Sequence, residues 1–538
     1  MSVTHCVLRN IDILQDILDL LEWDPRDGWS RQGYAALASL ARVCKALQDP
    51  ALTVLWRTVE DLKPLLRMIP DELTKHPTPS SEYENLRLHC YTRYVKMVHF
   101  SEYSIDDETS KLPFIYRASR GRPLFPGLQS LTLHVWPITF TEASLLYSYN
   151  LREVILSDSP FPPRHPPLQR TWGRLSSWQQ QQLCIQLLSR RCPRLCKFYS
   201  YLTLNRTELT CLEPIFNLEY LTTLWVDCPE PTAINDVRPL WFVKLSTMDH
   251  LSSLWFNVNK FTPDSITAIT LGCFSRLRHL EITTNVEMLR LLFNFWYPRS
   301  LVSIRIRMTT SDVQWFQLRA GVEQLVSATR STLKSFYFRP YPTQRTHYDA
   351  SDLPPILTTF QPLTRIHAIE AFDISWNHPF HVADQDITVL AEAWPALQFL
   401  CIRPKVDLDL DSTRPTVKSL AELASRCPRL SHLYLPLILH DLPPLDTLPT
   451  TKHRLKEVRF NSVAIGDRPH MEGIAAVLHH LFPLLEPAKL PRDPELNQVM
   501  EYIAVLQKED GAGNGTVSVR DGTIQAKGST MGCATAKG

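Results

Sequence analysis

Leu221-Thr222-Thr223-Leu224-Trp225-Val226 returns thirty residues later as Leu251-Ser252-Ser253-Leu254-Trp255-Phe256. Both stretches are apolar at the first, fourth and sixth places. The same pattern begins at Val95, Leu128, Leu151, Leu195, Leu277, Leu301, Leu333, Ile369, Leu397, Leu430 and Leu455, with Ser200 in the last place of the Leu195 copy. The thirteen starts lie 23 to 44 residues apart and average 30. Side chains alternate along a strand, so the fourth and sixth residues enter one face and the fifth stands on the other. A short strand recurring at this interval is the signature of a repeat array in which each unit stacks on the next.

The intervals between strands carry helical spacing. Trp178 to Arg191 holds Leu183, Leu187 and Leu188, and Val417 to Ser425 holds Leu420, Leu423 and Ala424. Twice such a helix runs into the same hinge, Cys192-Pro193-Arg194-Leu195 and Cys427-Pro428-Arg429-Leu430, with variants at Phe125-Pro126-Gly127-Leu128 and Trp394-Pro395-Ala396-Leu397. Proline has no N–H for a helix ladder and disfavours helix in the residue before it, so it stops the helix just ahead of the next strand. The strand pattern resembles the core of the leucine-rich repeat, in an irregular and slightly long form. The fold class expected is α/β: a three-helix module over 1–70, then a leucine-rich-repeat-like solenoid over 71–508. Its parallel strands line a concave face and its helices lie outside. Two apolar helical faces, Ile474/Val477/Leu478/Leu481 and Leu496/Val499/Met500/Ile503, close it as terminal caps. A disordered tail is expected over 509–538, where seven of the 16 Gly lie between Gly511 and Gly538.

Composition agrees. The chain has 538 residues, 78 Leu and 41 Pro, too long for one ordinary compact domain. Formal charge nearly cancels at +2, which gives no global electrostatic case for nucleic acid or an anionic membrane. Met1 to Leu21 is interrupted by Asp12, Asp16 and Asp19 and does not read as a signal peptide. No window approaches the 18 apolar residues of a spanning helix. Twelve scattered Cys read as reduced thiols of a cytoplasmic or nuclear protein.

The first 70 residues have their own pattern. Leu14, Ile17, Leu18 and Leu21 form one apolar helical face. A second helix carries Leu37, Leu40, Ala41 and Cys44. Asp49-Pro50 reads as the N-cap and first turn of a third helix reaching Val59. Three short helices bury little core alone, so they share apolar surface with a partner or with the rest of the chain. Leu40-Ala41-Arg42-Val43-Cys44-Lys45 with Leu55-Trp56-Arg57 resembles the second half of an F-box, and Ile13-Leu14-Gln15-Asp16-Ile17-Leu18 is similar to its opening half. Leu62 to Pro70 resembles the segment that follows the F-box in many fungal F-box proteins. The resemblance implies docking on the Skp-family adaptor of a cullin-based ubiquitin ligase. Leu14, Ile17, Leu18, Val43, Cys44, Leu55 and Trp56 would form that contact or the core beneath it. The competing reading is that these helices merely cap the array.

The column of fifth residues is His99, Thr132, Ile155, Tyr199, Trp225, Trp255, Glu281, Arg305, Tyr337, Asp373, Cys401, Tyr434 and Arg459. Five of the 13 are Tyr or Trp, where a 10% aromatic share predicts about one. Tyr, Trp and Arg are the residues enriched at binding hot spots. Tyr199, Trp225, Trp255, Arg305, Tyr337 and Tyr434 are the candidate residues for a protein substrate, centred on Tyr199, Trp225 and Trp255. Aromatics also favour strands for packing reasons alone. Residues 161–200 hold seven Lys or Arg and no acid, which suits an acidic or phosphorylated peptide, although such a run is more often a solvated helix face.

Signatures of chemistry are missing from the sequence. It has no Gly-x-Ser-x-Gly, no His-Glu-x-x-His and no phosphate-binding loop. Cys184, Cys192 and Cys196 lack a second ligand pair for zinc and read as core thiols. His378, His381 and Asp384 read as a polar loop. Asp407, Asp409 and Asp411 lack the calcium-loop pattern. No cofactor and no catalytic residue is expected.

Overall fold

The computed structural model describes residues 11–24, 28–29, 31–69, 88–100, 112, 115–116, 119–133, 140–157, 177–201, 209–226, 239–257, 274–309, 315–329, 332–340, 355–375, 380–403, 414–437, 439, 441–451, 453–460, 468–486 and 494–511. The chain divides into two compact units, Met1–Thr283 with Phe295–Leu301, and Thr284–Asn294 with Val302–Gly538.

The first unit opens with three helices, α1 (Ile11–Glu22), α2 (Arg31–Val43) and α3 (Lys45–Leu55). Between α1 and α2 lies an antiparallel pair of two-residue strands, β1 (Trp23–Asp24) and β2 (Gly28–Trp29). Parallel strands follow: β3 (Thr58–Val59), β4 (Met97–Phe100), β5 (Ser130–Leu133), β6 (Glu153–Ser157), β7 (Lys197–Tyr201), β8 (Thr223–Val226), β9 (Ser253–Asn257) and β10 (His279–Thr284). The second unit carries β11 (Ser303–Met308), β12 (Ser335–Pro340), β13 (Ala371–Ser375), β14 (Phe399–Arg403), β15 (His432–Leu435) and β16 (Glu457–Phe460). Within each unit every one of these strands pairs in parallel with its sequence neighbour. Both units are therefore α/β stacks of strand and crossover. All thirteen strand starts read from the sequence lead into one of β4 to β16.

The register shows why the apolar pattern builds a core. Val98, Leu131, Val154, Phe198, Leu224, Leu254 and Leu280 are consecutive Cα partners in the first unit, and none is more than 2% exposed. Ile304, Phe336, Phe372, Leu400, Leu433 and Val458 do the same in the second, at 1% or less. There Phe372 lies between Phe336, with ring centroids 5.9 Å apart, and Trp394, at 4.7 Å.

The hinges behave as proline chemistry requires. The helix Ser177–Arg191 ends where Cys192 N–H donates to Leu188, and the Cys192 carbonyl then accepts the Leu195 N–H at 3.1 Å. Trp394/Leu397 and Cys427/Leu430 repeat this turn, and Phe125/Leu128 closes the same bond. The residue before each proline is fully buried. The hinge thus fixes a core side chain and a turn together.

Two sequence expectations need correction. The third helix begins at Lys45, not at Asp49-Pro50: Cys44 is its extended N-cap and Pro50 lies buried inside it. Burial of the ring offsets the one ladder bond a second-turn proline forgoes. Asp49 instead accepts hydrogen bonds from Tyr94 and, at 3.2 Å, from Arg93. The helix also stops at Leu55, so Val59 belongs to β3 rather than to a helix end. The Arg57 carbonyl accepts both the Lys96 and Met97 N–H groups at 2.9 Å, and β3 pairs with β4. The capping helices are Arg468–Leu481 and Pro494–Gly511; the chain beyond Gly511 lies outside the described residues. Among the described residues no helix is long and apolar enough to cross a membrane.

Candidate protein-interaction surfaces

The helical module is amphipathic in two directions. Leu14, Leu18, Leu37, Ala51 and Val54 form a buried cluster, with Leu40, Ala41, Leu47 and Leu55 packed around it. On the adjoining face of α1, Ile13, Ile17 and Leu20 recur at i, i+4 and i+7 and are 41%, 44% and 76% exposed. Val43, ending α2, is 68% exposed, and Cys44 beside it is exposed too. Trp56 is half-buried, its ring 5.2 Å from Tyr91. Asp19 and Arg57 form an ion pair that ties α1 to the residue before β3. The seven residues assigned by resemblance therefore separate. Leu14, Leu18 and Leu55 make core, Trp56 braces the module on Tyr91, and Ile17, Val43 and Cys44 face outward. Ile13 and Leu20 were missed as surface residues; their i, i+4, i+7 spacing with Ile17 was the available signal.

The fifth-residue column lies in register. His99, Thr132, Ile155, Tyr199, Trp225, Trp255 and Glu281 are successive partners in the first unit. Trp225 and Trp255 stack with centroids 4.4 Å apart and planes at 17°. Tyr199 and Tyr201 tilt against Trp225 at 6.4 and 5.7 Å. Tyr201, two places beyond Tyr199 and so on the same face, was missed. Trp255 is only 2% exposed, so it is a platform under Trp225 rather than a contact for a partner. The Trp225 indole N–H is shut off from solvent and has no hydrogen-bond partner among the described residues. Tyr199 is half-buried, and burial, followed by the nearby Glu153 charge, pushes its phenol up.

In the second unit the column runs Arg305, Tyr337, Asp373, Cys401, Tyr434, Arg459. Arginines sit on the tyrosines: Arg305 lies 4.9 Å from the Tyr337 ring, and Arg403 and Arg459 lie 4.9 and 5.2 Å from the Tyr434 ring. Asp373 is 1% exposed and is held by Arg339 at 2.7 Å and by the Ser375 hydroxyl at 3.1 Å. Cys401 is fully buried; burial first, then Asp373, pushes its thiol up to about 12. Burial and Glu457 likewise push the Tyr434 phenol up.

Among the described residues the basic stretch is not gathered into one site. Residues 161–176 lie outside the described residues. Arg191 donates to the Gly121 and Ser144 carbonyls at 3.0 and 2.7 Å. Arg194 lies 4.7 Å from the Tyr149 ring, and Lys197 pairs with Glu153 at 3.9 Å. Cys184 and Cys192 are core residues. His378 and Asp407 to Asp411 lie outside the described residues. Asp384 joins two repeats: it accepts the Thr416 N–H and hydroxyl, both at 2.7 Å, and the Ser419 hydroxyl.

A scan against protein-family models finds no match, and a search of curated proteins finds no significant relative.

Proposed function

We propose that this chain is the substrate-recognition subunit of a Skp/cullin/F-box ubiquitin ligase. The helical module would dock on the Skp-family adaptor, and the strand faces would hold a protein substrate. The chain would contribute proximity, not chemistry. The supporting observation is the second apolar face of the module. Ile13, Ile17, Leu20 and Val43 stand exposed although Leu14, Leu18, Leu37, Ala51 and Val54 already complete a core. An apolar face left over after a core closes is what a docking helix requires.

A non-ligase scaffold is the second reading. Its support is the joint between module and array: β3 pairs with β4, and Asp49 bonds to Tyr94. A cap needs such a joint.

Adaptor capture separates the two. Ile17→Asp with Val43→Asp in the full chain replaces two exposed residues and leaves the core cluster intact. The expected outcome is at least a tenfold loss of recombinant Skp-family adaptor, since each buried aliphatic anchor contributes about 1.5–3 kcal/mol. A wild-type chain that recovers no adaptor sinks the ligase reading. Leu14→Asp is unsuited to this test, because Leu14 is core.

A further inference from the structure

The turns that lead into the strands of the first unit carry exposed side chains of their own. Tyr149, Arg194 and Tyr220 stand in the turns before β6, β7 and β8. A backbone ladder holds these turns side by side. The Arg152 carbonyl accepts the Cys196 and Lys197 N–H groups at 2.8 and 2.9 Å, and the Cys196 carbonyl accepts those of Thr222 and Thr223 at 2.8 and 3.0 Å. Successive strands stand about 4.8 Å apart, so the three turns form one row. Tyr149 and Tyr220 are 56% and 58% exposed. Arg194 lies 4.7 Å from the centre of the Tyr149 ring. Stacking uses the flat face of a guanidinium and leaves the N–H donors along its edge available. Arg152, just before β6, is exposed as well. Lys197 is taken up by Glu153 at 3.9 Å, but among the described residues no carboxylate engages Arg152 or Arg194. Glu219, in the Tyr220 turn, is also exposed, so the row is no block of positive charge. Its signature is two arginines without an acid, flanked by two open tyrosines.

We infer that this row of turns binds a short acidic segment of the substrate protein, with a glutamate or aspartate carboxylate on Arg152 and Arg194 and apolar side chains against Tyr149 and Tyr220. The inference rests on the receptor reading for the role of its partner but not for its chemistry, and it adds the turns to the strand faces as substrate contacts. Tyr and Arg are the residues enriched at binding hot spots. A guanidinium engages a carboxylate with paired N–H donors. Arg194 is already held on the Tyr149 ring, so less side-chain freedom is lost when an anion arrives. Two strand spacings separate the tyrosine turns by about 10 Å, the length of about three residues of extended chain. The arrangement favours a peptide over single-stranded nucleic acid. Nucleic acid needs ring faces open for base stacking and a groove that follows its phosphates. Here Arg194 covers a face of Tyr149, and Glu219 interrupts the row.

The test uses the full-length chain and labelled octapeptides in fluorescence anisotropy. One peptide alternates glutamate with leucine, and its control has glutamine in place of glutamate. The expected result is binding of the glutamate peptide at least tenfold tighter than the control. Arg152→Gln with Arg194→Gln should remove that difference while the thermal midpoint stays unchanged. Tyr149→Ala with Tyr220→Ala should weaken the glutamate peptide at least fivefold. Arg276→Gln with Arg278→Gln replaces two exposed arginines just before β10 and should leave binding as it is. Equal binding of the two peptides, an unaffected Arg152/Arg194 variant, an equal loss in the Arg276/Arg278 variant, or tighter binding of an octathymidylate overturns the inference. Adaptor capture is measured on the same samples. Peptide binding without adaptor capture removes the ligase reading and leaves this row standing. Adaptor capture without peptide binding does the reverse.

Discussion

At the residue scale, burial sets the chemistry of the thiols and of one histidine. Cys192, Cys401 and Cys427 are fully buried, and burial pushes each thiol up to about 12. At pH 8 such a group is thiolate on the order of one part in ten thousand, and the thiolate is the reactive form. Cys44 and Cys90 are exposed. Brief alkylation of the native chain at pH 8, read by peptide mass spectrometry, should label Cys44 and Cys90 and spare the three buried thiols until denaturant is added. His453 is the complementary case. Its Nε2–H donates to the Cys427 carbonyl at 2.7 Å, and its Nδ1 accepts the Leu455 N–H at 3.1 Å. The Leu455 bond needs the neutral ring, because only an unprotonated Nδ1 accepts; the Cys427 bond is open to either form. Burial lowers its pKa from the ordinary 6.5, with the Cys427 bond opposing. The folded value lies below the unfolded one, so the stabilisation is complete above pH 6.5 and is lost as pH falls through the folded value. The urea midpoint should therefore drop on acidification below 6.5, and His453→Gln should flatten that drop. An equal slope in both proteins would exclude His453 as its source.

At the scale of elements, α1 carries two jobs on adjoining faces. Its Leu14/Leu18 face closes a core, so Leu14→Ala should cost about 2–5 kcal/mol in a denaturant titration followed through the helical module. Its Ile13/Ile17/Leu20 face is exposed, and alanine there should change stability by no more than about 0.5 kcal/mol. The sequence shows both faces as periodic leucine and isoleucine, but periodicity alone does not say which is covered. That depends on α2 and α3 arriving at one side only. The strands were more legible, because Φ-x-x-Φ-x-Φ fixes both the strand and its inward residues. Each pattern leads into a strand, and the fifth residues fall into register within each unit. β3 escaped because a two-residue strand has no alternation to detect. The exposure of the column was not legible either. Trp255 and Cys401 have the same pattern position as Trp225 and Arg305, yet they are buried by what neighbours bring over them. The Arg–Tyr contacts needed register, since Arg403 and Tyr434 meet across adjacent strands.

At the scale of the whole molecule, a net charge of +2 leaves adaptor docking to local chemistry. The exposed face of α1 is aliphatic. Hydrophobic burial depends on area removed from water and is not weakened by simple salt. Attraction between exposed charges is screened, with a Debye length of about 10 Å at 0.1 M and about 3 Å at 1 M. Salt therefore tests the docking chemistry without any mutation. Raising NaCl from about 50 mM to about 500 mM should leave adaptor capture within about twofold. A loss of tenfold or more over that range would mean that the adaptor is held by charge, contrary to the assignment of Ile13, Ile17, Leu20 and Val43 as its apolar contact.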